Sequence, residues 1–381
     1  MRKRWLVSLA AFSLFLLAAC GGGSSTDTTD GGATDTTDGG TTETTNTTTG
    51  NGGELQEVVV LSPLGDHIAF TPLYIARELG FFEEEGLDVR VEGASGSSQV
   101  LQLLVAGQGD IGLPGAEAFM GAADQGADVV TFYNFYQKPI FGLVVPTDSD
   151  IETVDDLRGR VIGVTELSGG EVPVIAGLLR DAGMEFGADA EVVPVGDEVP
   201  AIANALDSGS IDAFGGSASD FAALGAAGIE VREITTERTA AFPGGGQVTT
   251  GQLLAENPDL LAAFGRAWAK ATHAWAVVPE VAEAATRVQL PEFWEDPESG
   301  RFQLEARWKI YELPEGKLHG INDIAAYEAY AEYLRAEIPG REPLLSGTFD
   351  PSESVTNELV EQFNDFDPAA VEQAARDYLG N

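Results

Sequence analysis

From Glu54 onward the chain alternates short apolar runs with longer segments whose apolar residues recur every third or fourth position. The first pattern predicts buried strands and the second amphipathic helices. A β-rich run at 58–61 leads through a loop, 62–70, into "FTPLYIARELGFFEEEGLDVRV", residues 70–91. Thr71 is placed to cap a helix whose first turn holds Pro72, where a missing N–H costs nothing. Leu73 with Ala76, and Ile75 with Leu79, supply helical spacing, and Gly80 suits the left-handed residue that ends a helix. Residues 87–91 return to strand, so the stretch reads as one compact right-handed βαβ crossover.

The same grammar repeats along the chain. Ser97 or Ser98 caps a helix that runs through Leu104 and ends at Gly107, and 110–113 is a short strand. Gly115 opens a helix towards Ala123, 129–133 is strand-like, and 140–145 is apolar. A short helix at 153–157 and a strand at 161–164 begin a second unit. Helices are then predicted at 170–182, 199–206 and 219–224, alternating with strands at 191–195, 211–214 and 229–233. Beyond Gly244 the pattern is mostly helical, with amphipathic stretches at 258–277, 321–336 and 367–379. Alternation of this kind predicts an α/β fold with a mostly parallel sheet in each of two lobes, and the body is longer than one core usually serves.

The first fifty residues follow different rules. Arg2, Lys3 and Arg4 precede an apolar run from Trp5 to Leu17 that suits an export signal. It ends in Leu17-Ala18-Ala19-Cys20, which resembles a bacterial lipobox. The only cysteine of the chain sits at the position that would carry the lipid, which favours lipidation over an incidental thiol. Residues 21–53 are mostly Thr, Gly and Asp, with TDTTDGG twice, and offer almost nothing to bury. They read as a disordered tether with an end-to-end distance of roughly 30 Å. Formal net charge is −40, and −43 once the signal and its three cations are removed. So acidic a chain is a poor partner for nucleic acid, and its surface would suit a saline habitat.

Four segments in order and spacing carry a family resemblance: residues 70–91 above, "LVAGQGDIGLPGAEAFMGAADQGADVV", "LVVPTDSDIETVDDLRGRVIGV" and "LDSGSIDAFGGSASD". Together they resemble the NitT/TauT/SsuA group of solute-binding proteins, which serve ABC importers for nitrate, sulfonates, taurine, thiamine precursors and flavins. The resemblance covers about residues 56–280. It implies a type II periplasmic-binding fold, with lobe I built from 54–145 plus 244–381 and lobe II from 146–243. Hinge strands would lie near 141–145 and 240–248. It further implies a monomer that binds a small molecule, needs no cofactor and no metal, and delivers its ligand to membrane permease subunits. With lipid on Cys20, the protein would be anchored at the extracytoplasmic face of the bacterial membrane.

In open sheets, ligands sit beyond the carboxyl ends of strands, where helix N-termini offer free N–H groups. On that basis lobe I contributes Ser62, His67 and Phe70, then Gly96, Ser97 and Ser98, then Gly115, Ala116 and Glu117, with Tyr136 and Tyr133 as aromatic faces. Lobe II contributes Glu166, Ser168 and Gly169, then Gly216, Ser217 and Asp220. Each has a plainer structural use. The serines can be caps, the acids can serve helix dipoles or the surface, and the aromatic run "FYNFYQKPIF" can be core and hinge packing. The loops contain no arginine and several carboxylates, which points to a zwitterionic or nitrogen-bearing organic solute rather than bare nitrate.

Two alternatives share the fold. A thiamine-pyrimidine synthase of similar architecture consumes its own histidine and uses a lysine-bound pyridoxal phosphate. Where that family has lysine and histidine four residues apart, this chain has Pro114 and Ala118, and its cysteine run falls about where "FPGGGQVTTG" has none. The Schiff-base amine and the sacrificed imidazole are missing, so the reading is non-enzymatic. A ligand-binding module for a signalling receptor is the other alternative, and a neighbouring permease and ATPase gene pair would argue against it.

Overall fold

A computed structural model describes residues 55–234 and 236–380. Cys20, the signal segment and the tether lie outside the described residues.

Among the described residues, ten strands form two five-stranded sheets. In chain order they are β1 Gln56–Ser62, β2 Leu87–Gly93, β3 Ile111–Gly112, β4 Val130–Tyr136, β5 Phe141–Pro146, β6 Val161–Val164, β7 Glu191–Pro194, β8 Ala213–Ser217, β9 Val231–Glu233 and β10 Gly245–Thr249. The first sheet has the order β2-β1-β3-β10-β4 and the second β7-β6-β8-β5-β9. β1 pairs in parallel with β2 and β3, and β6 with β7 and β8. β10 is antiparallel to both its neighbours, and so is β5. Each sheet therefore has four strands pointing one way and one intruder pointing back. Most strands of each sheet thus share one direction, as the alternating pattern predicts, and the single reversed strand makes each sheet mixed. The intruders are the strands on which the chain arrives from the other half, so they enter from the carboxyl ends.

This topology also moves the first crossing. β5 bonds wholly within the second sheet, so the chain changes halves at 137–140 rather than along 141–145. The return runs from Ile234 to Gly244 and ends with Gly245 opposite Tyr136 and bridged to Gly115. Phe141, at the start of β5, lies opposite Ser217, at the end of β8. Both crossings thus adjoin the carboxyl ends of their sheets, where the ligand loops were expected.

The segment 70–91 folds as predicted in outline. Helix Thr71–Glu78 is followed by Gly80 at φ +73°, a second turn Phe81–Glu84, and then β2. Phe81 and Phe82 are buried, Phe82 stacked on Phe264 at 5.2 Å. The acidic turn has a partner far along the chain. Glu85 takes Arg266 Nη2 at 2.7 Å and Lys270 Nζ at 2.8 Å, both from helix Pro258–Val277. Burial opposes ionisation of Glu85, but these two cations hold its carboxyl below the usual range. The cap differs from expectation. Thr71 lies inside the helix and donates its hydroxyl to Ile68 O at 2.8 Å, while His67 Nδ1 caps the preceding turn by accepting Ala69 N–H at 3.1 Å.

Two helices near the C-terminus tie the sheets together. Helix Pro297–Tyr311 packs on helix Ala218–Ala226, with the Phe302 ring where a side chain at Gly225 would stand. Helix Ile324–Leu334 packs on helix Glu171–Asp181, with the Tyr333 ring over Gly177. Tyr330 stacks on Phe242 at 4.7 Å, so the return crossing is covered by the same helix. One buried cluster accordingly joins Leu61, Val100 and Phe119 of the first half with Leu143, Ile162 and Leu179 of the second. No described helix is long and apolar enough to cross a membrane.

Candidate functional site

In the first half, backbone bonds draw three loops together. Ala94 N donates to Ser62 O at 2.8 Å and Gly96 N to Pro63 O at 3.1 Å, which lays the loop after β2 on the loop after β1. Ser62 is buried and donates its hydroxyl to Gly65 O at 2.6 Å, so it shapes the turn. Gly96, at φ +83°, is the N-cap of helix Ser97–Val105; neither serine caps it. Instead Ser97 Oγ accepts Gly115 N–H at 3.1 Å, joining the second loop to the third. Ser98 is exposed. Ala116 N reaches Gly244 O at 3.3 Å, so the third loop also touches the return crossing.

Glu117 folds back over Gly115, where an added Cβ would collide with its carboxylate. The residue is half-buried, but its Oε2 is fully buried and has no hydrogen-bond partner. Burial pushes the carboxyl up to about 7, against the opposing pull of the Glu117 and Ala118 backbone N–H groups.

Phe70 is spent elsewhere. It is 3% exposed and packs edge-on against Phe135, as a core residue rather than a ligand wall. Tyr133 is likewise core, against Phe363. Tyr136 is buried, its hydroxyl donating to Ala69 O at 3.0 Å. The structural use of the aromatic run is thus the one the structure displays.

In the second half, Ser217 and Asp220 form a capping box: Ser217 N and Oγ donate to Asp220 Oδ2 at 2.6 and 2.8 Å, and Asp220 N returns to Ser217 Oγ. Gly216 lies where a Cβ would meet both the Phe214 ring and Asp220. Glu166 and Ser168 are exposed, and Gly169 O accepts Arg341 Nη1 at 3.2 Å. The buried acid of this loop is Glu171, which accepts Thr165 N–H at 3.0 Å and Thr165 hydroxyl at 2.5 Å. Three of the helix N-termini at the site therefore carry their own acid in the first turn: Glu117, Glu171 and Asp220. Only helix Ser97–Val105 has none.

What joins the halves here was not among the predicted residues. Arg307, on helix Pro297–Tyr311, is 7% exposed. Its Nη2 donates to Ser219 Oγ at 2.6 Å and its guanidinium lies 5.9 Å from the Tyr136 ring centre. It also bears on His67, whose pKa falls to about 4, first by burial and then by the charge of Arg307. The sequence carried a signal for it. Leu304, Arg307 and Tyr311 fall at i, i+3 and i+7, so the arginine occupies an apolar-stripe position.

Two recesses flank these residues. One of about 360 Å³ is lined by Asp66, His67 and Ile68 with 289–293. The other, about 880 Å³, is walled by Phe141, Ala218, Phe221, Phe302, Ala306 and Ile310, with Lys138, Lys309 and Glu233 also lining it. His67 is the one predicted ligand residue that lines either.

A model described as NMT1/THI5 like matches residues 67–282, from His67 into the first turn of helix Glu280–Gln289. The chain belongs to the NMT1/THI5-like family. Among its similar proteins is the riboflavin-binding protein RibY of Chloroflexus aurantiacus, 25% identical over 317 residues, 80% of this chain and 86% of RibY. The 4-amino-5-hydroxymethyl-2-methylpyrimidine phosphate synthase of Schizosaccharomyces pombe is 28% identical over 92 residues, only 24% of this chain and 27% of the synthase. In structure, the alkanesulfonate-binding protein SsuA from Xanthomonas axonopodis pv. citri, bound to MOPS, superposes with a TM-score of 0.57 at 18% identity, over 80% of this chain and 99% of that one. The NMT1/THI5-like chain thus has the two-lobed binding-protein fold that the four sequence segments imply. Arg307 lies beyond the matched family segment.

Proposed function

We propose that the protein is the solute-capturing component of an ABC importer, held at the extracytoplasmic face of the membrane by lipid on Cys20. Lobe I, 54–136 with 245–381, and lobe II, 141–233, close on a small organic solute about the crossings at 137–140 and 234–244. The closed form is then presented to the permease, and the solute leaves unaltered. One observation carries this reading: the two intruding strands bring both crossings to the carboxyl ends of both sheets. The loops after β1, β3, β6 and β8 are thereby placed where a hinge motion changes their separation. Likeness over most of its length to a riboflavin-binding protein, and to the fold of a sulfonate-binding one, supports a solute of the nitrogen- or sulfur-bearing organic class. Pro114 and Ala118 supply neither amine nor imidazole, which favours capture over synthesis.

Isothermal calorimetry against riboflavin, taurine, ethanesulfonate, nitrate and the thiamine pyrimidine tests it. The expected result is one-to-one binding of at least one of them, with the solute recovered chemically intact. Failure of every one to bind, or recovery of an altered product, overturns the proposal.

A further inference from the structure

Glu117 is a buried acid that nothing neutralises. Among the described residues its Oε2, sealed from solvent, has no hydrogen-bond partner, and no cation faces the side chain. The elements packed around it supply none. Helix Ser97–Val105, β10 and the return crossing at 242–244 contain no titratable side chain. From helix Ile324–Leu334 the group that bears on it is Tyr330, a hydroxyl kept neutral by its own burial and then by the charge of Glu117. Tyr327 of that helix turns to Phe119, Tyr333 is held by Asp181, and Glu328 and Glu332 are exposed. On the helix that Glu117 begins, the other acid, Asp124, accepts from Ser346. A carboxylate so isolated is costly unless it takes up a proton, and burial accordingly raises its proton affinity.

What covers Glu117 is the hinge itself. Its carboxylate lies over Gly115, where even a Cβ would collide, and Gly115 is bridged to Gly245 at the end of the return crossing. Ala116 N–H donates to Gly244 O at 3.3 Å, and Tyr330 stacks on Phe242 at 4.7 Å. The same helix seats Tyr333 over Gly177 in the opposite half. A loop of one sheet, the segment returning from the other, and the helix resting on that other half therefore meet over one acid. Rotation about 234–244 displaces Phe242 and Gly244 and opens this cover to water.

We propose that Glu117 is a proton-operated latch on the hinge: protonated, it lets the two halves stay packed as they are here, and ionised, it favours their separation. The inference rests on the solute-capture reading and adds a control to it, release of solute as the pH rises. The sign follows from the two environments. In the packed arrangement the carboxyl titrates at about 7, and once the cover opens it returns towards the ordinary value of 4.5. The opening equilibrium is thus level below about pH 4.5, grows as the pH rises, and is level again above about pH 7. Full solvation shifts it by about 300-fold across that range, and partial solvation by less.

The test uses the full chain with spin labels on Gln102→Cys and Asn204→Cys, and Cys20→Ser so that no other thiol reacts. Pulsed electron resonance without solute, at pH 5.5 and 8.5, compares this protein with the same one carrying Glu117→Gln. His67 and His319 titrate near 4, below that window, and every other titration is common to both proteins. Expected with Glu117 present is a ratio of long to short distances at least about tenfold higher at pH 8.5 than at pH 5.5. Glu117→Gln, neutral throughout, should give one ratio at both. The inference is overturned if the ratio with Glu117 present does not change with pH, or if Glu117→Gln changes alongside it. Either result leaves solute capture standing where calorimetry finds a solute bound. A pH-dependent ratio in a protein that binds none of the solutes leaves the latch and sinks capture.

Discussion

Valine in place of Gly177 is expected to destabilise the protein by about 3 kcal/mol, at the upper end of what overpacking costs. A Cβ at this position would enter the Tyr333 ring, with Cδ1, Cγ and Cε1 all inside contact distance. The ring has nowhere to go. Tyr333 is fully buried and its hydroxyl is held by Asp181 Oδ2 at 2.5 Å. Arg180 and Arg238 lie 5.3 and 5.1 Å from its centre, and Phe242 meets it edge-on at 4.8 Å. Replacing glycine inside helix Glu171–Asp181 returns only a few tenths of a kcal/mol of helix propensity. Urea unfolding should show a markedly lower midpoint, with Gly177→Ala intermediate. A change below about 0.5 kcal/mol for valine would mean that helix Ile324–Leu334 does not seat on this surface.

The second large effect is on pH dependence. His67 has its pKa lowered from 6.5 to about 4, by burial first and by Arg307 second. The unfolded chain therefore takes up this proton at higher pH than the folded one. The stability contributed by the neutral imidazole is complete above about pH 6.5, declines as the pH falls, and is exhausted near pH 4. A displacement of this size corresponds to roughly 3 kcal/mol. His67→Asn removes the titration while leaving a side-chain oxygen able to cap Ala69 N–H. Unfolding free energy measured at pH 7 and pH 4.5 should fall less steeply in this variant by roughly 2–3 kcal/mol. Glu117 works in the opposite direction, because its raised pKa makes the folded state hold a proton longer, and His319 is lowered to about 4 like His67. Both are present in variant and wild type, so the difference isolates His67. Parallel pH profiles would show that the imidazole is solvated.

Much of the α/β body is legible in the sequence because its signals are local. β6 falls on the predicted residues, since "VIGV" is apolar, β-branched and bounded by turn residues. Gly80, Gly107 and Gly115 mark helix ends as expected, two of them at positive φ. Direction is not local: β5 reads as an apolar run and β10 falls where the pattern is mostly helical, and only the crossings that deliver them make them antiparallel. Helix Pro297–Tyr311 escaped for a related reason. Phe302 faces Gly225, Arg307 faces Ser219, Trp308 meets Trp275 at 5.0 Å and Tyr311 meets Tyr136 at 5.0 Å. A helix that packs on two bodies divides its apolar residues between two faces, so its overall period is blurred even though Leu304, Arg307 and Tyr311 share one of them. The site suffered most from this. Its loops were foreseen, but Ser97 binds the next loop rather than capping, Asp220 is engaged in a cap, and Phe70 is core. The charged group that spans the halves, Arg307, comes later in the chain than any of them.

The central claim is that two halves close around a solute without changing it, and a distance across them tests this most directly. Spin labels on Gln102→Cys and Asn204→Cys, both exposed, sit on helices Ser97–Val105 and Val199–Asp207 of opposite sheets. Pulsed electron resonance with and without saturating solute is predicted to give a shorter, narrower distance distribution when the solute is bound. A distribution that stays the same while calorimetry shows the site occupied would contradict the account.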